Sequence, residues 1–299
     1  MISIIVCSRT TFPAKILTDN IEKTIGVPYE IISIDNSTNK YGICEAYNLG
    51  VERSNYDSLC FMHDDIEYCS NDWGKVLLDH FHDDEVGAIG IAGTAYCAYM
   101  PGPWWATGSF YEHILQSSST EANPSLKSNI PALERVQIVA LDGVWFCIKK
   151  ALFKKIRFDE SRFPGFHLYD IDISLQVYNY GYKMYCVSDI LIHHKSMGAI
   201  NNNWIDNALI FKKKWDKILP VACEDISYNQ RCRYEYKTLN AFIWICFANG
   251  WSNKTIYALA LKYLLKFKKG YLFHKTPGYL VKFLFKGAFK KGEPFYTFN

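Results

Sequence analysis

The chain has 299 residues, 49% of them hydrophobic and 21% charged, enough apolar material for a sizeable core and too much for a disordered or fibrous protein. Net charge is only +3, so the overall balance points to no polyanionic partner. Ten cysteines lie scattered, most of them in apolar segments and none in a C-x-x-C pair, which argues against a disulfide framework or a zinc site.

The first element is "ISIIVC" (2–7), a continuous apolar run that reads as a buried strand. "YEIISIDNS" (29–37) is a second strand and ends in Asp35-Asn36-Ser37. "ICEAYNLGVERS" (43–54) has helical spacing. "DSLCFMHDD" (57–65) is a third strand, "WGKVLLDHF" (73–81) a helix and "VGAIGIAG" (86–93) a fourth strand. Apolar strands alternating with helices predict an α/β fold, a mostly parallel sheet with helices on both faces. Ligands bind such sheets at the carboxyl ends of the strands. Three of those ends are polar here: Ser8-Arg9, Asp35-Asn36-Ser37 and His63-Asp64-Asp65.

Further along, residues 117–129 form a polar loop, and "VQIVALDGVWFCIKK" (136–150) returns to strand character. "FDESRFPGFHLYDIDISLQVYNYG" (158–181) is a loop feeding a helix, and "YKMYCVSDILIHHKS" (182–196) reads as two short strands. After about Lys217 the pattern changes to helices rich in aromatics and lysine, predicting a domain over 1–217 and a helical extension over 218–299. The longest uncharged run, 86–111, contains five glycines and "PGP" and is no membrane span. "MISIIVCSR" enters a strand pattern with no basic leader, so the expectation is a cytoplasmic protein.

The polar strand ends have two readings. Asp35 can accept a hydrogen bond from a base edge or a ribose, while Asp64 and Asp65 offer hard oxygen ligands to Mg²⁺ or Mn²⁺ bridging to a diphosphate. His63 would be a ligand more natural for Mn²⁺ than for Mg²⁺. Alternatively Asp35 caps a turn, and 63–65 is a solvated strand end. Asp170 and Asp172 open a helix, where acids also favour the dipole or cap the end. His193 and His194 are adjacent on a strand, so only one of them can face a cleft.

The order of these pieces resembles the GT-A fold inverting glycosyltransferases, the large family that includes bacterial polysaccharide glycosyltransferases. The resemblance rests on "IIVCSR", "IISIDNS", "LCFMHDDI", "LDGVWFCIKKALF", "RFDESRF", "LYDIDISLQVYNYGYKMYCV" and "HHKSMG", and spans roughly residues 1–215. It is most similar to a subgroup whose D-x-D motif begins with His. It implies transfer of a sugar from a nucleotide-diphosphate donor, with UDP the first expectation, to a glycan or lipid-linked hydroxyl with inversion, in surface polysaccharide assembly. It further implies a Mn²⁺ or Mg²⁺ ion held by Asp65, His194 and His63. Asp170 would be the general base. Ser8, Arg9, Asp35 and Asp64 would contact the donor nucleotide or sugar, and Asp142 and Gly143 would line the donor pocket. Two positions depart from the family pattern: His63 stands where the first Asp of D-x-D is usual, and Tyr169 stands where a Glu precedes the Asp of the helix start.

The loop "AYMPGPWWATGSFY" (98–111) carries Trp104 and Trp105, which would either stack on acceptor sugar faces or pack within the loop. From Trp251 onward ten lysines meet a single acid, Glu293, among Leu, Phe and Tyr. That pattern suits either peripheral contact with an anionic membrane or a helical cap, and nothing else supports a nucleic-acid partner. Competing readings are a sugar nucleotidyltransferase, disfavoured because "CSRTTFPAK" lacks glycine, an inactive binding protein of the same fold, and a metal-dependent hydrolase.

Overall fold

A computed structural model describes residues 1–117, 123–198 and 200–266. The chain opens with β1 (Ile2–Ser8), α1 (Lys15–Thr24), β2 (Tyr29–Asp35), α2 (Ile43–Arg53), β3 (Ser58–Met62), β4 (Ile66–Tyr68) and α3 (Trp73–Phe81). The stretch that reads as one strand over 86–93 divides into β5 (Val86–Gly90) and β6 (Ala92–Thr94), which enter different sheets. At the division the Ile91 carbonyl accepts from His113 N at 2.7 Å, a bond that draws the chain away from the first sheet. Then follow β7 (Tyr96–Cys97), a 3₁₀ turn (Trp104–Thr107), β8 (Phe110–Gln116), β9 (Ser125–Ser128), β10 (Arg135–Ile138), β11 (Ala140–Leu141) and β12 (Trp145–Lys149). β9 lies inside the expected polar loop and forms because it pairs with β8. A second 3₁₀ turn (Lys150–Lys154) precedes α4 (Tyr169–Asn179), β13 (Lys183–Val187), β14 (Ile192–His194), α5 (Asn202–Lys214), β15 (Val221–Ala222), α6 (Tyr228–Ala248) and α7 (Asn253–Lys266).

The main sheet has seven strands in the order β10-β13-β5-β12-β3-β1-β2. Strands β2, β1 and β3 are parallel, β12 runs against β3 and β5, and β13 runs with β5. β10, at the edge, runs against β13, so five strands share one direction and two, β12 at the centre and β10 at the edge, are reversed. Side chains along β1 alternate between two buried clusters with the two-residue period of a strand covered on both faces. In β1, Ile2, Ile4 and Val6 join the cluster with Leu17, Ile21, Trp73 and Leu77 of α1 and α3. Ile5 faces the other way, into the cluster with Tyr47 of α2 and Ile173 of α4. A side chain at Gly50 of α2 would run into Ile5, so the helix sits against the strand because this residue has no Cβ. Phe61 of β3 stacks on Phe146 of β12 with ring centroids 5.1 Å apart. Truncating such a ring to alanine costs about 3–5 kcal/mol.

The register places Ser8 beside Asp35 and Val6 beside Met62, so the carboxyl ends of β1, β2 and β3 finish together. A second sheet has the order β11-β6-β8-β14-β4, with β9 added on β8. Its β14–β4 ladder pairs His194 with Ile66, the residue after Asp65, and so brings two distant sequence segments to one place.

The helices after β15 are pinned to the core by a buried acid. Glu235 of α6 is fully enclosed and accepts from Tyr96 Oη at 2.5 Å, Tyr99 N at 2.8 Å and Met100 N at 2.7 Å. Burial raises its pKa against those donors. Among the described residues, no helix is long and apolar enough to cross a membrane. Most of the basic-aromatic stretch, residues 267–299, lies outside the described residues.

Candidate active site

The turn after β3 carries His63, Asp64 and Asp65, and β14 ends on His194. The metal-binding atoms of His63, Asp65 and His194 all lie within 4.8 Å of one another. His194 Nε2 is 3.6 Å from Asp65 Oδ1, and His63 Nδ1 is 4.0 Å from the same oxygen. The two imidazole rings are 5.5 Å apart.

Hydrogen bonds on the far side of each ring decide which nitrogen faces Asp65. The Gln116 amide nitrogen donates towards the carbonyls of Ser117 at 2.9 Å, His194 at 3.3 Å and Ser196 at 2.7 Å. Its Oε1 is thereby turned to accept from His194 Nδ1–H at 3.1 Å. His194 Nε2 is then the unprotonated nitrogen, and it is buried with no hydrogen-bond partner. On the other ring, Tyr169 Oη donates to the Gly143 carbonyl at 3.2 Å and so accepts from His63 Nε2–H at 3.3 Å. His63 Nδ1 is left with a free lone pair. Burial lowers both histidine pKa values and outweighs the neighbouring carboxylates Asp65 and Asp142, which raise them, so the rings are neutral. Burial opposes ionisation of Asp65, yet the Ser196 hydroxyl, His194, His63 and Arg9 hold its carboxyl below the usual range. Two neutral imidazoles and one carboxylate with vacant lone pairs fit a divalent cation, and an orphaned buried nitrogen is what such an ion would satisfy. His193 points elsewhere, its Nε2 2.7 Å from Ser117 Oγ.

The other residues singled out in the sequence fall into two groups around this cluster. On the nucleotide side, Arg9 binds Asp64 through Nε at 3.0 Å, Nη2 at 2.6 Å and its own backbone N at 3.0 Å. Its Nη2 also lies 3.7 Å from Asp65. Ser8 is buried and shares a contact with Thr10 Oγ1 at 3.2 Å. Asp35 is exposed, accepts from Ser37 N at 3.0 Å, and has a pKa lowered by the Ser37 bonds.

On the other side, Asp170 sits in the first turn of α4 and accepts from Gly143 N at 2.9 Å. The N-cap position is Leu168, so Asp170 does not cap the helix. Burial first, and the neighbouring Asp142 second, raise the Asp170 carboxyl to about 7. Asp142 accepts from Trp104 Nε1 at 3.1 Å and from Val144 N at 2.9 Å. Trp104 is thus fastened to Asp142, and its ring meets Trp105 edge-on at 5.6 Å. The space a Cβ would need at Gly143 is filled by the Tyr169 hydroxyl.

Two nearby acids are structural. Asp172 is buried between Lys214 Nζ at 2.8 Å and Trp215 Nε1 at 2.8 Å, tying α4 to α5. Asp159 of "FDE" is held well below the usual carboxylate range: Lys214, Arg162 and Ser161 outweigh its burial.

Two further residues, Gln116 and Tyr169, contact the cluster without a clear signal in the sequence. Gln116 carried no signal, since its contact with His194 exists only through the β8–β14 pairing. Tyr169 stood out only as a departure from a family pattern.

A model of the glycosyltransferase-like family matches residues 3–215. The streptomycin biosynthesis protein StrF of Streptomyces griseus is 24% identical over 190 residues, a match covering 61% of this chain and 64% of StrF. The chain thus spans a little under two thirds of that relative's length. Residues 1–349 of S. aureus TarS share the fold at TM-score 0.53 and 13% identity, covering 99% of this chain and 98% of that one. A longer TarS structure aligns at TM-score 0.52 and 11% identity, covering 90% and 49%. With more than half of its length matched by the family's model, the chain belongs to the glycosyltransferase-like family.

Proposed function

We propose that the protein is a divalent-metal-dependent inverting glycosyltransferase. It moves a sugar from a nucleoside diphosphate sugar, UDP being the first nucleotide to test, to a hydroxyl of a glycan or lipid-linked acceptor. The observation that carries this reading is the donor set at the strand tips: His63 and His194, each with its N–H engaged elsewhere, converging on Asp65.

A Mn²⁺ or Mg²⁺ ion bound by these three residues would supply positive charge against the diphosphate leaving group. Asp35 has an exposed carboxylate oxygen for the base or ribose, and Arg9 with Asp64 borders the same opening. Gly143 N–H fixes one oxygen of Asp170. As the acceptor oxygen bonds to the anomeric carbon, the Asp170 carboxylate takes its proton. The bond from that carbon to the diphosphate oxygen breaks, and its electron pair leaves with the nucleoside diphosphate. Attack opposite the leaving group inverts the carbon in one step, without a covalent enzyme intermediate.

A lipid-linked acceptor would be met at a membrane surface. The exposed Leu261 and Leu265 beside Lys262 on α7 favour such contact.

The reaction can be tested without knowing the acceptor. With water as acceptor, UDP-sugars and Mn²⁺ should yield UDP and free sugar, and the fresh anomer is read by NMR. A β-sugar from an α-linked donor supports the proposal. An α-sugar contradicts inversion, and release that is independent of added metal contradicts the role of the metal site.

A further inference from the structure

We propose that Tyr169 is a positioning residue for the metal site: its hydroxyl holds His63 in the tautomer that presents Nδ1 beside Asp65. The resulting two-nitrogen, one-oxygen donor set favours Mn²⁺ over Mg²⁺. This rests on reading His63, Asp65 and His194 as the metal site.

The geometry assigns the hydroxyl both of its bonds. Tyr169 Oη is 3.2 Å from the Gly143 carbonyl, which can only accept. The hydroxyl proton is spent there, and the contact to His63 Nε2 at 3.3 Å requires the proton on the histidine. A phenylalanine would leave His63 free to carry its proton on Nδ1, facing Asp65, where it could not bind a cation. The ring itself is locked, packed at 5.6 Å against Tyr47 and 6.0 Å against Phe166. The hydroxyl therefore has little freedom to follow a moving histidine. Gly143 completes the arrangement, since any side chain there would displace the hydroxyl. The N–H of the same glycine donates to Asp170, so one residue orients the base through its N–H and, through its carbonyl and Tyr169, a metal ligand.

The two departures from the family pattern, His63 and Tyr169, are thus in direct contact. A histidine in place of an aspartate needs a partner to fix its tautomer, and a glutamate in place of Tyr169 would introduce a charge beside it. Imidazole nitrogen suits Mn²⁺, whereas Mg²⁺ prefers an all-oxygen shell.

The test is a double-mutant cycle on the full chain, with Mn²⁺ and Mg²⁺ titrated in the presence and absence of UDP. Bound Mn²⁺ is followed by electron paramagnetic resonance, and its nitrogen couplings by pulsed measurement. Tyr169→Phe keeps the ring, and folding is checked by its melting curve. The wild type should show two imidazole nitrogens on Mn²⁺. Tyr169→Phe should lose about 10-fold or more in Mn²⁺ affinity together with one nitrogen coupling. His63→Asp should lower the Mn²⁺/Mg²⁺ preference, and adding Tyr169→Phe to it should change Mn²⁺ affinity no further. Unchanged affinity and nitrogen couplings in Tyr169→Phe, or equal losses with and without His63, would overturn the role of Tyr169 while leaving the metal site intact. A wild type that binds no Mn²⁺ under either condition would instead overturn the metal site itself.

Discussion

Gln116 Oε1 lies 3.1 Å from His194 Nδ1 and leaves the buried Nε2 of that ring facing Asp65 without a hydrogen bond. The contact makes Gln116 a support for the proposed metal ligand His194. Gln116→Ala removes the acceptor and the donors to three carbonyls, and should weaken Mn²⁺ binding about 10–100-fold, measured by titration. Unchanged affinity would mean that the imidazole is oriented by other contacts.

Asp170 sets two pH dependences with different signs. Its carboxyl is raised to about 7 by burial and by Asp142. A general base works ionised, so transfer should rise through about pH 7 and level off above it. Stability runs the other way. A carboxyl raised in the fold keeps its proton in the native state when the unfolded chain has lost it, between the ordinary carboxyl range and about 7. The cost of the buried charge is absent at low pH and grows as pH rises through that window. Asp170→Asn should therefore abolish transfer, retain donor binding, and melt no lower than the wild type at pH 8 without added metal. A lower melting temperature at pH 8 would contradict the strain assigned to this carboxylate.

Glu235 anchors α6 to the segment at 96–100 through three donors. Glu235→Ala strands Tyr96 Oη and two backbone N–H groups in a buried setting, each costing about 1–3 kcal/mol. Thermal melting should drop by several degrees at least, and Glu235→Gln should recover part of the loss. A neutral effect of the alanine would show that water reaches these donors.

Arg9 and Asp64 make the opposite case. The Arg9 side chain is 69% exposed, so its pairing with Asp64 is screened and contributes under about 1 kcal/mol to stability. Arg9→Ala should leave melting nearly unchanged while weakening UDP binding and its dependence on salt. Loss of stability without loss of UDP affinity would make Arg9 a structural residue.

The strand tips were legible from sequence because β1, β2 and β3 are largely apolar runs ending in polar residues, and parallel register aligns such ends. His63 and Asp65 could be read from one strand tip, and His194 from the motif order. What the sequence withheld depends on long-range pairing. Gln116 reaches His194 only because β8 lies along β14, and no local spacing encodes that neighbour. The bonds of Tyr169 depend on where the Gly143 turn meets the start of α4. Asp172 and Asp170 look alike in "LYDIDIS", two residues apart. Asp172 is held by Lys214 and Trp215 while Asp170 is left beside Asp142, a difference set by which way each faces on the helix. Trp104 reads from sequence as a sugar platform or a packed residue; its bond to Asp142 holds it in place, and that long-range partner has no local signature.

In the proposed donor site, a divalent cation on His63, Asp65 and His194 meets a nucleoside diphosphate. Calorimetric titration of the protein with UDP, GDP, dTDP and CMP, each with and without Mn²⁺, tests this arrangement. At least one nucleoside diphosphate should bind clearly more tightly with Mn²⁺, and His194→Ala should remove that difference. Equal binding with and without Mn²⁺ across the panel, or a metal effect that survives His194→Ala, would contradict it.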